Sequence, residues 1–453
     1  MDGGKPGERK GPAHARGHTL PKGNEERLAE LGKLLPPPNE DELEIIRGLR
    51  HERRRRRFLS WLVAIVLLAL LAGAIAQWVR PLPASSLEIQ SVRLPGTTPT
   101  FAWPSAGESA AAVEGSGPLG QVRGSQPVPV AGLIDVLTAY VVLSDHPLEQ
   151  GADGPSIPVT NDTLTAYQNG QASQQAEVPV AAGESLTELQ ALEGMLIDNG
   201  TDMATLLAEW DAGNTNAFVA KMTATAQKFG LSNTHITDPS GADSATTSTA
   251  EDLVRLGEKA LSNSILRQIV SLGQPSVLIP MTNVVYNLNF DLGRDGIIGI
   301  KTASDSSAGG CYLVAAEQNI GGKVVTVVAA VLGQPAGSQG PNTVAVHAGD
   351  ALVQSIFAAL HSYPVFTPGQ KVGEIVAPWG ATAPVTVAQP VSVVGWPGLS
   401  VTLVARRDLP KGALSTGASV GTLAAIVGTT STHVQLRTAA PLSTPGWWWR
   451  LTR

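Results

Sequence analysis

Cysteine is almost absent from this 453-residue chain: Cys311 is its only one. A lone thiol excludes an internal disulfide framework and any cage of thiolates around a metal. Aromatic residues are scarce, with 7 Phe, 5 Tyr and 9 Trp, so the core is expected to be aliphatic. The eight histidines show no His-Glu-x-x-His or comparable ligand spacing, and neither a metal nor a cofactor is implied. No internal repeat stands out. Glycine (48) and proline (32) are frequent enough for many turns, yet fall short of a low-complexity composition. The net charge of −6 argues against a nucleic-acid partner for the chain as a whole.

That charge is unevenly divided. Residues 1–57 hold 14 basic and 10 acidic side chains, whereas the remainder holds 18 basic and 28 acidic ones. The boundary is the run Arg53-Arg54-Arg55-Arg56-Arg57, followed at once by the uncharged stretch Phe58 to Trp78. A helix over those residues would rise about 30 Å, the thickness of a bilayer's hydrocarbon core. Trp61 and Trp78 fall near its ends, where aromatic belts are favoured. Arginines before the apolar run place the N-terminus in the cytoplasm and everything after Arg80 outside. The competing reading is a cleavable signal peptide, since Ala74-Ile75-Ala76 resembles a processing site. The long basic region and long apolar run favour an uncleaved anchor.

The cytoplasmic segment, 1–57, is expected to be largely disordered at its start, where Gly, Pro, Lys and Glu dominate. Asn24 could cap a short helix ending at Pro36-Pro37-Pro38. Asn39 with Glu42 makes a capping-box-like start to a second helix, with Leu43, Ile46 and Leu49 on one face. The basic run serves as a topology signal, or holds anionic lipid headgroups. Residues 79–100, rich in Pro, Ser and Thr, read as a stalk. Between 101 and 362, strand-like and helix-like patterns alternate. Leu133 to Leu143 and Leu186 to Asp211 carry helical periodicity, and Lys323 to Leu332 is a continuous strand candidate. From 363 to 453 the pattern turns all-β, with Ile375, Val385, Val387, Val391, Val393 and Val401 recurring between Pro and Gly turns. Trp447-Trp448-Trp449 is expected to close that domain as a strand, with contact to membrane or sugar as the alternative. Cys311 reads as a small buried residue in an apolar strand.

Several stretches resemble the serine-type D-alanyl-D-alanine carboxypeptidases, the low-molecular-weight penicillin-binding proteins. Leu137-Thr138-Ala139-Tyr140-Val141-Val142 is similar to the helix carrying that family's nucleophile. Trp210-Asp211-Ala212-Gly213 with Ala217-Phe218-Val219 resembles its middle helical segment. Leu231-Ser232-Asn233-Thr234-His235, Asp238-Pro239-Ser240-Gly241 and Ser248-Thr249-Ala250 resemble its central signature. Gly299-Ile300-Lys301-Thr302 and Ala308-Gly309-Gly310 resemble its third active-site strand and the return after it. The resemblance covers roughly 96–453, in the family's order. It implies an α+β fold: a transpeptidase domain of the penicillin-binding and β-lactamase type, with an antiparallel sheet flanked by helices. A small all-β domain would follow; the transmembrane helix that precedes is the one read from Phe58 to Trp78.

The family's chemistry needs a Ser-x-x-Lys pair, nucleophile and base one helical turn apart, with a Ser-x-Asn relay and a Lys-Thr-Gly strand. The equivalent positions here read Gly132-Leu133-Ile134-Asp135, Asn199-Gly200-Thr201 and Lys301-Thr302-Ala303. Nucleophile and base are thus replaced at Gly132 and Asp135, and the relay at Asn199 and Thr201. Lys301, Thr302, Ala303 and Ser304 remain as the implied substrate-binding strand. Loss of a serine nucleophile costs on the order of a millionfold in turnover, so acyl-enzyme chemistry is not expected. Ser185-Leu186-Thr187-Glu188 mimics the first motif but ends in an acid, and reads as a capping box of the next helix. Glycine is tolerated at a helix N-cap and Asp suits the first turn. Because the family's two lysines share one cleft, Asp135 is expected to pair with Lys301. Ala303 adds a methyl where a bare backbone would admit a peptide.

The leading expectation is a non-catalytic relative anchored in the membrane through Phe58 to Trp78. Its exported domains would bind peptidoglycan stem peptides or regulate a cell-wall enzyme. Two alternatives stay open: a hydrolase of altered chemistry with Asp135 acting on water, and a structural module without ligand.

Overall fold

The structure, a computed structural model, describes residues 40–89, 92–124, 126–173, 175–276, 286–407 and 412–453. The expected helix capped by Asn24 lies outside them. The chain divides into two compact units: one comprises the N-terminal 81 residues with Gly446–Arg453, the other Leu82–Pro445.

The first unit is built on α1, Glu40–Val79, a 40-residue helix whose side chains from Phe58 to Val79 include a continuous apolar run exposed on all sides. Its segment Arg54–Val79 is long and apolar enough to cross a membrane. An all-round apolar surface is what a lipid-facing helix requires. Trp447–Thr452 also forms a helix of this unit, which corrects the expected closing strand of the β domain. The Pro445-Gly446 pair precedes it, with Gly446 as the residue from which the helix starts. The Arg450 guanidinium stands 5.0 Å from the Trp78 ring, and Arg453 donates to the carbonyls of Gln77, Arg80 and Pro81. Those carbonyls end α1 and lack helical partners of their own, so the arginine satisfies them.

In the second unit, a five-stranded antiparallel sheet combines β1 (Glu108–Val113), β2 (Gly117–Val122), β3 (Ile297–Asp305), β4 (Gly309–Ile320) and β5 (Lys323–Gln334), in the order β2-β1-β5-β4-β3. The Val/Ala run of β5 is apolar on both faces because both are covered. Val327 and Ala329 join Val346, Leu352 and Ile356 of one helix, Pro341–Ala359, whereas Val328 and Ala330 join Leu253 and Leu256 on the opposite side. That second side is helical: α2 (Asp135–Asp145), α3 (Asn161–Ala172), α4 (Glu188–Ile197), α5 (Thr201–Ala212), α6 (Thr215–Phe229), α7 (Ala250–Leu261) and α8 (Ser264–Val270). Close docking of α7 depends on Gly257, where a Cβ would come within 2.9 Å of Val328 Cγ1. Cys311 is fully buried in β4, and burial pushes its thiol up to about 12, as suits a packing residue.

The continuous helical periodicity read over 186–211 is two helices, broken at Asn199-Gly200. The capping box at the first of them is made by Thr187 and Gln190, whose side chains and backbones exchange hydrogen bonds. Ser185–Thr187 instead pairs with Ser156–Pro158 as a short strand, so the expected Ser185/Glu188 box is not the one formed.

The C-terminal sheet has seven strands, with Lys371–Val376, Thr382–Val387, Thr430–Thr438, Ser419–Val427 and Ser400–Arg407 adjacent in that order. Ser86–Ile89 and Val92–Arg93 add its two outer strands, so part of the segment read as a stalk is sheet. Ile375, Val385, Val387, Val391, Val393 and Val401 all point into its core.

Candidate functional site

Three pieces of chain meet beside the edge strand β3. The first is the tight turn Ala131–Ile134 leading into α2, which carries Gly132 and then Asp135. The second is the α4–α5 junction, where Asn199 adopts φ +60°, a left-handed conformation that Asn tolerates better than most residues. The third is β3 itself, with Lys301, Thr302 and Ala303. Gly132 shows how close they are: a Cβ there would lie 3.1 Å from Asp135 Oδ2, 3.4 Å from the Ala303 methyl and 3.6 Å from Asn199 Oδ1. The Asp-Pro-Ser-Gly turn forms a wall. Asp238 accepts from the Ser240 hydroxyl at 2.7 Å, the Ala242 amide at 3.0 Å and the Thr246 hydroxyl at 2.5 Å. Gly241, at φ +71°, must be glycine, because a Cβ would sit 2.0 Å from the Ala131 carbonyl oxygen.

These pieces enclose a groove of about 670 Å³, lined by Gly132, Asn199, Thr201, Ala303 and Ser304 among others. Beneath it, Lys301 Nζ lies 3.0 Å from Asp135 Oδ2, so the expected ion pair is present. The same ammonium donates to the carbonyls of Met195 (2.6 Å) and Leu196 (3.1 Å). Those carbonyls close the last turn of α4, where the helix dipole favours a cation and the backbone acceptors would otherwise be orphaned. Three acceptors therefore take up the lysine's three donors. Of the four strand positions implied to bind substrate, Ala303 and Ser304 line the groove. Lys301 and Thr302 are 2% and 3% exposed and are not part of its lining. The physical reason is that Lys301 is drawn inward by Asp135 and by the helix end.

Residues 119–335 match the family described as D-alanyl-D-alanine carboxypeptidase. A D-alanyl-D-alanine carboxypeptidase of Mycobacterium tuberculosis, DacB2, is 35% identical over 198 residues, covering 42% of this chain and 62% of that relative. The chain thus spans under two thirds of that relative's length. In solved structures, penicillin binding protein 5 from Haemophilus influenzae shares the fold at TM-score 0.54 and 18% identity, covering 77% of this chain and 99% of its own. A peptidoglycan synthesis regulatory factor, PBP3, from Streptococcus pneumoniae does so at TM-score 0.56 and 17% identity, covering 76% and 100%.

Beneath the groove, the buried pair has unusual electrostatics. Burial raises the Asp135 carboxyl to about 7, against the opposing charge and hydrogen bond of Lys301, with the Asp238 charge adding to the rise. Burial likewise lowers the Lys301 ammonium, opposed first by Asp135. Both shifts disfavour isolated charge in a dry site. A carboxyl raised on folding stabilises most below its unfolded value and loses that contribution as pH climbs through about 7. Lys301 acts on the alkaline side, where its contribution is full above its unfolded value and is lost as pH falls. We therefore expect the urea midpoint to fall between pH 4 and pH 7. The Asp135→Asn/Lys301→Met double variant should show a shallower fall, its slope smaller by up to one proton; an unchanged slope would exclude Asp135 as a source.

Several residues of the groove carried no signal in the sequence. Gln175, Leu288, Ser306, Ser307 and Asn342 arrive from separate loops and helices. The Asp238 turn did carry one, since Asp-Pro-Ser-Gly is turn chemistry in itself.

Proposed function

We propose that the protein is a membrane-anchored, extracytoplasmic member of the carboxypeptidase family without acyl-enzyme activity. It acts as a binding or regulatory protein on peptidoglycan. The observation that carries this reading is Gly132. At the start of α2, where a serine would face the groove, there is no side-chain atom to acylate. The hydrolase reading with Asp135 acting on water is disfavoured because that carboxyl is 2% exposed and its Oδ2 is already held by Lys301. Ser240, which does reach the groove, donates its proton to the Asp238 carboxylate, and the described residues that line the groove with it include no lysine to serve as a Ser-x-x-Lys base. The run Arg54–Arg57 before the apolar segment supports a cytoplasmic N-terminus and exported domains.

The full chain in neutral detergent, incubated with a fluorescent β-lactam and run on a denaturing gel, is expected to show no covalent label. A labelled band from the unaltered chain would overturn the non-catalytic reading.

A further inference from the structure

We infer that the groove binds an extended peptide segment whose end is neutral or cationic, and discriminates against a free carboxylate. This rests on the peptide-binding reading above and names the ligand class for the same groove. Among the described residues that line it, Asp305 is the one charged side chain; the others are Gly, Ala, Leu, Ser, Thr, Asn and Gln. More acid stands just behind the lining. Glu177 accepts the Thr201 hydroxyl at 2.5 Å and Asp238 accepts the Ser240 hydroxyl at 2.7 Å, whereas the Asp135 charge under Gly132 is balanced by Lys301. Asp198 precedes Asn199 and feels the Lys301 charge.

A carboxylate-ended ligand would need a cation within reach, and the strand lysine does not supply one. Lys301 is 2% exposed, and its donors go to Asp135, Met195 and Leu196. Turning that ammonium toward the groove would strand Asp135 as a buried charge without its partner. The local field in the groove is therefore that of Asp305 and the acids behind it, which repels an anion and favours a neutral or amine-bearing ligand. An extended peptide also has a place to lie. Among the described residues, β3 has only β4 beside it in the sheet, and its Ala303-Ser304 end forms part of the groove. A strand with one open edge can pair with a peptide backbone, while side-chain chemistry sets selectivity.

The test compares two fluorescent, N-capped peptides ending in D-alanyl-D-alanine, one as the free carboxylate and one as the carboxamide. Each is titrated by anisotropy against the full chain in neutral detergent. The carboxamide is expected to bind about tenfold more tightly. Ser306 is exposed at the groove's rim, so a Ser306→Lys variant should fold and should shrink or reverse that preference. Equal or tighter binding of the carboxylate overturns the inference, as does failure of both peptides to bind at millimolar protein-accessible concentration. An unchanged ratio in the Ser306→Lys variant would remove charge as the cause. β-Lactam labelling reads acylation and these titrations read binding, so the two readings can fail separately.

Discussion

Replacing Asp135 by Asn is expected to destabilise the carboxypeptidase-like domain by about 3–5 kcal/mol, the range found when one partner of a buried ion pair is removed. In a unit of this size that corresponds to a fall of about 10 °C in the thermal midpoint. The substitution keeps the side chain's shape and removes only its charge. Lys301 then remains 2% exposed, with two backbone carbonyls as acceptors and no countercharge. Desolvation already lowers its ammonium in the intact pair, and loss of Asp135 deepens that shift. The variant should therefore regain stability as pH rises, the reverse of the trend in the unaltered chain between pH 4 and pH 7.

The double variant Asp135→Asn/Lys301→Met separates pairing from packing. If the cost lies in an uncompensated charge, removing the second charge restores most of the loss, since a buried pair is worth little against an apolar replacement of similar volume. Thermal melts of the single and double variants decide it. A double variant as unstable as the single one would mean that the helix-end carbonyls of Met195 and Leu196, left without a donor, dominate.

This pair also shows what the sequence could and could not disclose. That Asp135 and Lys301 share a site followed from two motifs whose spacing along the chain is 166 residues but whose family places them in one cleft. That Lys301 would cap α4 did not follow, because the end of that helix was hidden in an apparently continuous periodic stretch. The break depends on Asn199 at φ +60°, and a single left-handed residue leaves the apolar period on either side almost undisturbed. The aliphatic core of the C-terminal sheet was legible, since Val385, Val387, Val391 and Val393 all point inward, each separated from the next on its strand by a less buried residue, with period two. The outer strands from 86–93 were not, because their partners lie some 300 residues away and short edge strands have little pattern of their own. Trp447–Trp449 failed for the same reason in reverse: aromatic residues favour strands, and here they form a helix.

If the groove lacks acyl-enzyme chemistry as proposed, building a Ser-x-x-Lys pair into it should produce the largest change in activity. We expect the variant Gly132→Ser/Asp135→Lys/Ala303→Gly to acquire covalent β-lactam label where the unaltered chain acquires none, at a rate about a thousandfold below that of a site with every motif intact. Each change has a geometric reason. A Cβ at position 132 fits at 3.1 Å from Asp135 Oδ2 and 3.4 Å from the Ala303 methyl, contacts that need shifts of a few tenths of an ångström. Removing the Ala303 methyl relieves one of them and opens the backbone to the ligand. Gly132→Ser alone should stay unlabelled, because the nearest carboxylate oxygen already accepts from Lys301 and is a poor base. A lysine introduced at 135 lies one helical turn from the new hydroxyl, and the charge of Lys301 lowers its pKa toward that of a free amine able to take the proton. The recovery is partial because Asn199 and Thr201 still stand in place of the relay. Stability should drop at the same time, since the ion pair is gone. A folded triple variant that remains unlabelled would shift the loss of function to those two positions, and adding Asn199→Ser and Thr201→Asn would then be required to recover it.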